Sequence, residues 1–325
     1  MKGRAIVIGL FFIVHSVCSQ QIATFSNYIL DPFSLNPAVA GLQQCFEMRV
    51  GRRVQWTDLY GAPEVNFFSI NFMLNKSERN SFKKQGLGLY FQNQSVGIFK
   101  INYLKIGYAY HLRLWKRYKM SMGIFGGMQQ MGLANASFLN TQDPAYKSNR
   151  AYVVPEVSPG VFLYTQKSGL GISLFQAYPK DWGKIGDQAR LRQHLFATFY
   201  HKITYGFWNF MPSTLVRLNP FLSPSADVNF LADYDNVISF GAGIRTFRSL
   251  QVNLNFKLWD KFKVGYTYEL PFLDNSQQLG PTHEVIIGFG NCFKNGPKPS
   301  LIIWAMAVPP QSQVTSLSVA VISCQ

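Results

Sequence analysis

The feature that most constrains this chain is an alternation of polar and apolar residues that recurs over long segments after Cys45. Between Gln251 and Leu258, Gln, Asn and Lys take every second position, and Val, Leu and Phe take the positions between them. A pleated strand points successive side chains to opposite faces, so the pattern predicts strands whose two faces meet different surroundings. A soluble β-sandwich shows the same alternation. Many of these segments, however, exceed the roughly five or six residues of a soluble strand and reach the roughly 9–11 of a transmembrane strand.

The alternation and the turn residues between segments predict fourteen strands, an even number typical of a single-chain outer-membrane barrel. Their predicted ranges are 45–55, 64–75, 85–94, 101–115, 118–131, 152–165, 168–177, 191–204, 213–219, 224–234, 237–246, 250–257, 261–270 and 283–293. The predicted fold is an all-β transmembrane antiparallel β-barrel with both chain ends on the periplasmic side. The long links 132–151, 178–190 and 271–282 would then lie outside, and most periplasmic links would be short, with 76–84 as an exception.

The amino-acid composition agrees with an outer-membrane β-barrel. Only 14% of residues are charged, yet Lys and Arg number 31 against 16 Asp and Glu, and 28 Phe, 16 Tyr and 26 Gly are present. This profile excludes disorder and a coiled coil. The mean hydropathy of +0.01 is far too low for a bundle of membrane helices.

The first residues predict export. Lys2 and Arg4 precede an apolar run from Ala5 to Val14, and small residues follow, which is the pattern of a signal peptide over 1–20 cleaved near residues 19–20. The run is shorter than the roughly 20 residues of a membrane-spanning helix. We expect the barrel to occupy 45–293. The sequence offers no physical explanation for the role of the tail 294–325.

Residues 21–44 precede the first strand and contain Pro32 and the Asn36-Pro37 turn signal. Proline at this density excludes a central strand or a long helix. Two arrangements remain open, a plug inside the barrel and a periplasmic arm.

Charged residues share one parity of the predicted strands and should therefore face the lumen, where opposite charges are expected to pair. They either fix the shape of the barrel or line a conduit or docking pocket. These residues are Glu47, Arg49, Arg53, Lys105, His111, Arg113, Asp227, Asp233, Arg245, Lys257, Lys263, Glu269 and Glu284.

Two further features concern the predicted periplasmic rim. Lys116, Arg117 and Lys119 are either a solvated rim or a docking site for an acidic periplasmic partner; nucleic acid is not an expected partner of an exported chain. Cys45 and Cys292 open the first strand and close the last, so an oxidising periplasm would permit a disulfide across the seam, unless barrel shear separates them.

No catalytic, cofactor-binding or metal site is predicted. His283-Glu284 lacks the second His of a zincin motif, and the sequence contains no Gly-x-Ser-x-Gly. An outer-membrane hydrolase would need a catalytic triad at the barrel rim, and none can be assembled from these residues.

Several segments in order resemble one family. Residues 25–41 read FSNYILDPFSLNPAVAG, and further matches include Arg-Val-Gln-Trp at 53–56, Gly-Ala-Pro at 61–63, Asp-Val-Asn at 227–229 and His-Glu at 283–284. Together they resemble the PorP/SprF family of type IX secretion membrane proteins. The motif residues are Tyr28, Pro32, Asn36, Pro37, Gly41, Arg53, Trp56, Gly61, Pro63, Asp227, Asn229, His283 and Glu284. Glu269 stands where the family usually has Asp, and the tail is longer than usual.

The resemblance implies an outer-membrane component of the type IX secretion system of Bacteroidota. Such proteins support secretion or surface attachment of specific cargo, such as adhesins, and some support gliding motility. The implied partners are the secretion machinery, including its periplasmic ring lipoproteins, and the cargo protein, with no cofactor. The alternative function is a passive outer-membrane channel for small solutes.

Overall fold

The structure is a computed structural model that describes residues 22–74, 84–115, 117–133, 151–178, 192–220, 222–246, 248–259, 261–272 and 279–292. The side chains of Leu133, Leu222 and Cys292 lie outside this description. The predicted signal peptide and the tail 294–325 also lie outside it. Within the described residues, no helix is long and apolar enough to cross a membrane.

The described chain consists of strands and two single-turn 3-10 helices, Pro32–Ser34 and Pro37–Val39. The strands are β1 Cys45–Val54, β2 Glu64–Met73, β3 Lys84–Val96, β4 Phe99–Arg113, β5 Lys119–Leu133, β6 Tyr152–Tyr164, β7 Ser168–Phe175, β8 His194–His201, β9 Ile203–Tyr205, β10 Trp208–Asn219, β11 Leu222–Tyr234, β12 Ile238–Arg245, β13 Ser249–Leu258, β14 Phe262–Pro271 and β15 Thr282–Cys292.

The strands form one closed ring. Sequential neighbours pair from β1 to β8, β8 pairs with β10, and β10 to β15 continue the ring back to β1. The predicted antiparallel barrel of fourteen strands is therefore confirmed, with β9 as an additional short strand. We call the end of the ring where β1 begins the proximal end, and the end where β1 finishes the distal end.

The additional strand is a continuation of β8 and explains one wrong boundary. β10 pairs with β8 through Ser213–Tyr200 and with β9 through Phe210–Ile203, in an unbroken register. The interruption at Lys202 lies opposite Met211, next to Pro212, which has no N–H to donate. The sequence prediction began this wall strand at 213, whereas β10 begins at Trp208 and includes Pro212.

Burial in the wall is inverted relative to a soluble protein. In β13, Gln251 and Asn253 are 1% and 4% exposed, whereas the intervening Leu250 and Val252 are 50% and 55% exposed. The same inversion runs through the other long strands, so the outer surface of the ring is apolar and the inner surface is polar. This is the arrangement of a barrel that spans a membrane.

Residues 22–44 cross the inside of the ring, and we call them the plug. Their first residues contact the distal parts of the wall, where Ser26 bonds Glu284, and their last residues contact proximal parts, where Ala40 bonds His111. Between these points Phe33 packs edge-on against Phe125 of β5, with ring centroids 5.0 Å apart. These contacts correspond to the plug and not to the periplasmic arm.

Candidate functional site

Three arginines and three carboxylates from six different strands meet in the distal lumen. Arg53 pairs with Glu284 and, at 2.9 Å, with Glu269. Arg245 pairs with Glu269 at 3.0 Å and with Asp227 at 2.9 Å. Arg217 donates to Asp227 at 2.8 Å. The charge cluster, as we call it, consists of Arg53, Arg217, Asp227, Arg245, Glu269 and Glu284, and each member is at most 9% exposed.

The charge cluster is electrically neutral and holds the first part of the plug. The backbone N–H of Ser26 donates to both oxygens of Glu284, at 2.7 and 2.9 Å. Its hydroxyl donates to Glu269 at 2.8 Å and accepts from Arg53 and Arg245 at 3.0 Å each. Charge-assisted hydrogen bonds are roughly twice as strong as neutral ones, so this serine anchors the plug to β1, β12, β14 and β15.

Asn36 fixes the middle of the plug. Its side-chain oxygen accepts from the N–H of Ala38 at 2.9 Å and caps the second 3-10 helix. Its amide nitrogen donates to the main-chain oxygens of Val161 in β6 and Ile172 in β7, at 3.0 and 3.3 Å. The same side chain therefore shapes the plug and attaches it to the wall.

Glycines line the wall at several places where the plug approaches it closely. A Cβ on Gly86 would lie 1.9 Å from the carbonyl oxygen of Ala40, and a Cβ on Gly160 would lie 2.2 Å from the side chain of Asn36. Real Cβ atoms do not approach so closely, so only glycine allows this contact. The wall glycines in contact with the plug are Gly86, Gly88, Gly107, Gly123, Gly160, Gly171 and Gly265.

The proximal end of the plug is bound through its main chain. The Nε2 of His111 lies 2.8 Å from the carbonyl oxygen of Ala40, which can only accept, so Nε2 carries a proton. The Nδ1 of the same ring lies 3.0 Å from the hydroxyl of Tyr164. The N–H of Gly41 donates to Asn71 at 3.1 Å. These contacts fix the chain just before it turns into β1.

A second buried ion pair lies between β4 and β6. The Nζ of Lys105 is 2.8 Å from Glu156 and 4.4 Å from the ring centroid of Phe175. Lys105 also lines a cavity of about 20 Å³ between the plug and the wall, beside Gln92, whose buried Nε2 has no hydrogen-bond partner among the described residues. That volume has room for about one water molecule.

The structure divides the predicted motif residues into three groups. Tyr28, Pro32, Asn36, Pro37 and Gly41 belong to the plug, and the hydroxyl of Tyr28 bonds Ser213 at 3.0 Å. Arg53, Asp227, Asn229 and Glu284 face the plug from the wall. Trp56, Gly61 and Pro63 lie in the distal β1–β2 turn, and His283 bonds Tyr266 on the opposite face of β15 from Glu284.

Sequence reasoning missed several contacts of the plug, namely Ser26, Asn71, Ser121, Ser173, Arg217 and the wall glycines. Their inward parity was the available signal, but the uncharged side chains and the glycines among them carry no charge pattern to mark them.

The predicted docking residues lie at the proximal rim. Arg117 is exposed in the turn between β4 and β5, Lys119 begins β5, and Lys116 lies outside the described residues. Trp115 in the same turn and Trp259 in the turn after β13 are both exposed at the proximal end, where aromatic residues are typical of a membrane interface.

The predicted disulfide also falls at the proximal end. Cys45 is disulfide-bonded. Its pairing with Cys292 stays a prediction, because the side chain of Cys292 lies outside the described residues. Among the described residues, no group of His, Cys, Asp and Glu could hold a metal ion.

Comparison with known proteins gives one family and a set of similar barrels. The family model described as "Type IX secretion system membrane protein PorP/SprF" matches residues 17–289. No sequence relative was found among curated proteins. The toluene transporter TbuX of Ralstonia pickettii is similar over 82% of this chain and 93% of its own, at 9% identity and a TM-score of 0.50. The toluene transporter TodX of Pseudomonas putida covers 82% and 94%, at 8% identity and a TM-score of 0.47. At these identities the likeness concerns the fold alone.

Proposed function

The chain belongs to the PorP/SprF family of type IX secretion system membrane proteins, and from this premise we propose that it supports secretion or surface attachment of specific cargo proteins, such as adhesins, at the outer membrane. The observation that carries the proposal is the family match over most of the barrel, together with a lumen occupied by the chain's own plug. A filled, polar lumen suits a protein that binds and anchors more than one that passes solutes.

A deletion strain tests this function. We expect loss of one or a few proteins from the cell surface, with uptake of small solutes intact and with secretion restored by the wild-type gene. Normal surface proteins together with impaired solute uptake would overturn the proposal. Gliding on agar, measured in the same strains, would show whether the cargo includes a motility adhesin.

The second candidate function is a passive channel for small solutes, which the barrel fold alone allows. Planar-bilayer recordings of the purified protein separate the two functions. Steady single-channel conductance of the intact protein would favour the channel, and its absence would favour the binding role.

We further propose that the proximal rim docks on the secretion machinery at an acidic surface, such as that of the periplasmic ring lipoproteins. Its support is the cationic proximal rim, in which Arg117 is exposed and Lys119 at the start of β5 is half-buried. Reversing Lys116, Arg117 and Lys119 to Glu should abolish co-purification of that partner. Lys100→Glu is the matched control, because Lys100 is exposed at the distal start of β4. Co-purification that survives the triple reversal would contradict this docking role.

A further inference from the structure

The wall binds the plug through its side chains and also through main-chain groups that every polypeptide has. Main-chain N–H or C=O groups of the plug are bonded at Ser26, Asn27, Leu35, Ala38, Ala40 and Gly41. The wall side chains that make these bonds are Glu284, Ser173, Ser121, His111 and Asn71. Because main-chain groups do not depend on sequence, another segment on the same path could make the same bonds.

The wall also lacks side chains where the plug backbone passes. On β5, a Cβ at the inward-facing Gly123 would lie 2.5 Å from the backbone nitrogen of Ala38. A Cβ at Gly126, three residues further along the same strand, would meet no atom within 4 Å. The wall glycines thus make room for the plug along its path, which we call the track, whereas Gly126 lies on the exposed outer face of β5 and is not part of it.

Side chains of the plug make the contacts that select a sequence, among them those of Tyr28 and Phe33 described above and those of Ser26 and Asn36. The hydroxyl of Ser26 lies among the arginines and carboxylates of the charge cluster. The amide of Asn36 occupies the recess left by Gly160 and Gly171. A fitting ligand thus carries a hydroxyl residue and, ten positions later, an asparagine that bends the chain, here followed by proline.

We propose that the lumen is a binding site for a polypeptide segment, and that the plug is its resident ligand, which a segment of the same chemistry in a second polypeptide can displace. The chemical class is a segment that carries a hydroxyl residue, buried aromatic residues such as Phe33 and an Asn-Pro turn, in the order found in the plug. That the displacing segment belongs to secreted cargo rests on the proposed function; the existence of the peptide site does not.

A nicked protein tests the site without removing the plug during folding. Gln43 and Gln44 are exposed, so a protease site inserted between them in the full-length chain can be cut after purification. Fluorescently labelled synthetic peptide 22–43 is then added in excess. We expect saturable uptake of the label by fluorescence anisotropy and release of the resident fragment by mass spectrometry. A resident fragment that never exchanges would overturn the proposal.

Matched variants test whether the exchange uses the described track. In the nicked protein, Gly123→Val should weaken peptide uptake roughly tenfold or more, and Gly126→Val should leave it unchanged. The nicked protein with the wild-type wall should take up a peptide that carries Asn36→Leu similarly weakly. This measurement remains decisive if Gly123→Val fails to fold. Equal uptake of both peptides would contradict the proposed site. If the resident fragment never exchanges although deletion of the gene abolishes secretion, the peptide site alone is refuted. If the fragment exchanges although secretion survives deletion of the gene, the secretion role alone is refuted.

Discussion

Ser26 and Glu284 lie 258 positions apart, and the backbone N–H of Ser26 donates to both oxygens of the Glu284 carboxylate. Glu284 also pairs with Arg53, so the same carboxylate joins the plug, the first strand and the last strand. The stability of the plug and the closure of the ring therefore depend on the same buried charges.

Removal of the Glu284 carboxylate should strongly destabilise the protein. Glu284→Gln leaves Arg53 with one buried partner fewer, and loss of one member of a buried ion pair typically costs about 3–5 kcal/mol. We expect a large fall in the thermal unfolding midpoint in detergent. Glu64→Gln is the control, because its pair with Arg52 is on the surface, at 44% and 59% side-chain exposure, and should matter by about 1 kcal/mol or less. Equal effects of the two substitutions would contradict the assigned role of the charge cluster.

Deletion of the plug should open the barrel. A variant lacking 22–44 loses the segment that crosses the inside of the ring, so we expect a much larger single-channel conductance in planar bilayers than the intact protein gives. The nicked protein with its fragment still bound is the control and should behave like the intact protein. Unchanged conductance after deletion would mean that residues outside 22–44 close the lumen.

The Lys105–Glu156 pair offers a double-mutant cycle. Lys105→Met should leave Glu156 buried without its cation and destabilise the protein by about 3–5 kcal/mol. Adding Glu156→Leu should recover much of that loss, because an apolar pair of similar size needs no compensating charge. Thermal unfolding of the two single variants and the double variant measures the coupling. Additive losses would show that the two side chains contribute independently.

Asp31 predicts a pH dependence. This residue belongs to the plug and not to a spanning strand, and burial raises its pKa from 3.8 to about 6, against the opposing effects of Arg49 and Ser69. The folded protein retains this proton at pH values where the unfolded chain has lost it. The stability that Asp31 contributes is therefore complete below about pH 4 and is lost as the pH rises through about 6.

Asp31→Asn should remove this dependence. The free energy of unfolding of the variant, relative to that of the wild type, should rise from pH 4 to pH 7 by on the order of 3 kcal/mol and then stay constant. Thermal unfolding in detergent across this range measures it. A wild-type protein whose stability rises between pH 4 and 7 relative to the variant would contradict the raised pKa.

The alternation of polar and apolar residues predicted the strands of the wall, because a membrane requires every spanning strand to present an apolar outer face. It could not place the plug, since residues 22–44 have no period and their partners are distant in sequence. Arg217 was missed for a local reason. Leu215 shares its inward face and is fully buried, so the polar and apolar faces of β10 are mixed there. The high glycine content could be read from the sequence, but the positions of the glycines in the track are explained only by their contacts with the plug.

The bond between Ser26 and Glu284 also has a consequence for the order of folding. The site that receives Ser26 is complete only when β15 has joined β1, so the beginning of the chain must wait for its last strand before it can dock. Contacts of such long sequence separation form late and slowly. We therefore expect protection of the Ser26 amide from hydrogen exchange to appear at the end of refolding, as a marker that the barrel has closed.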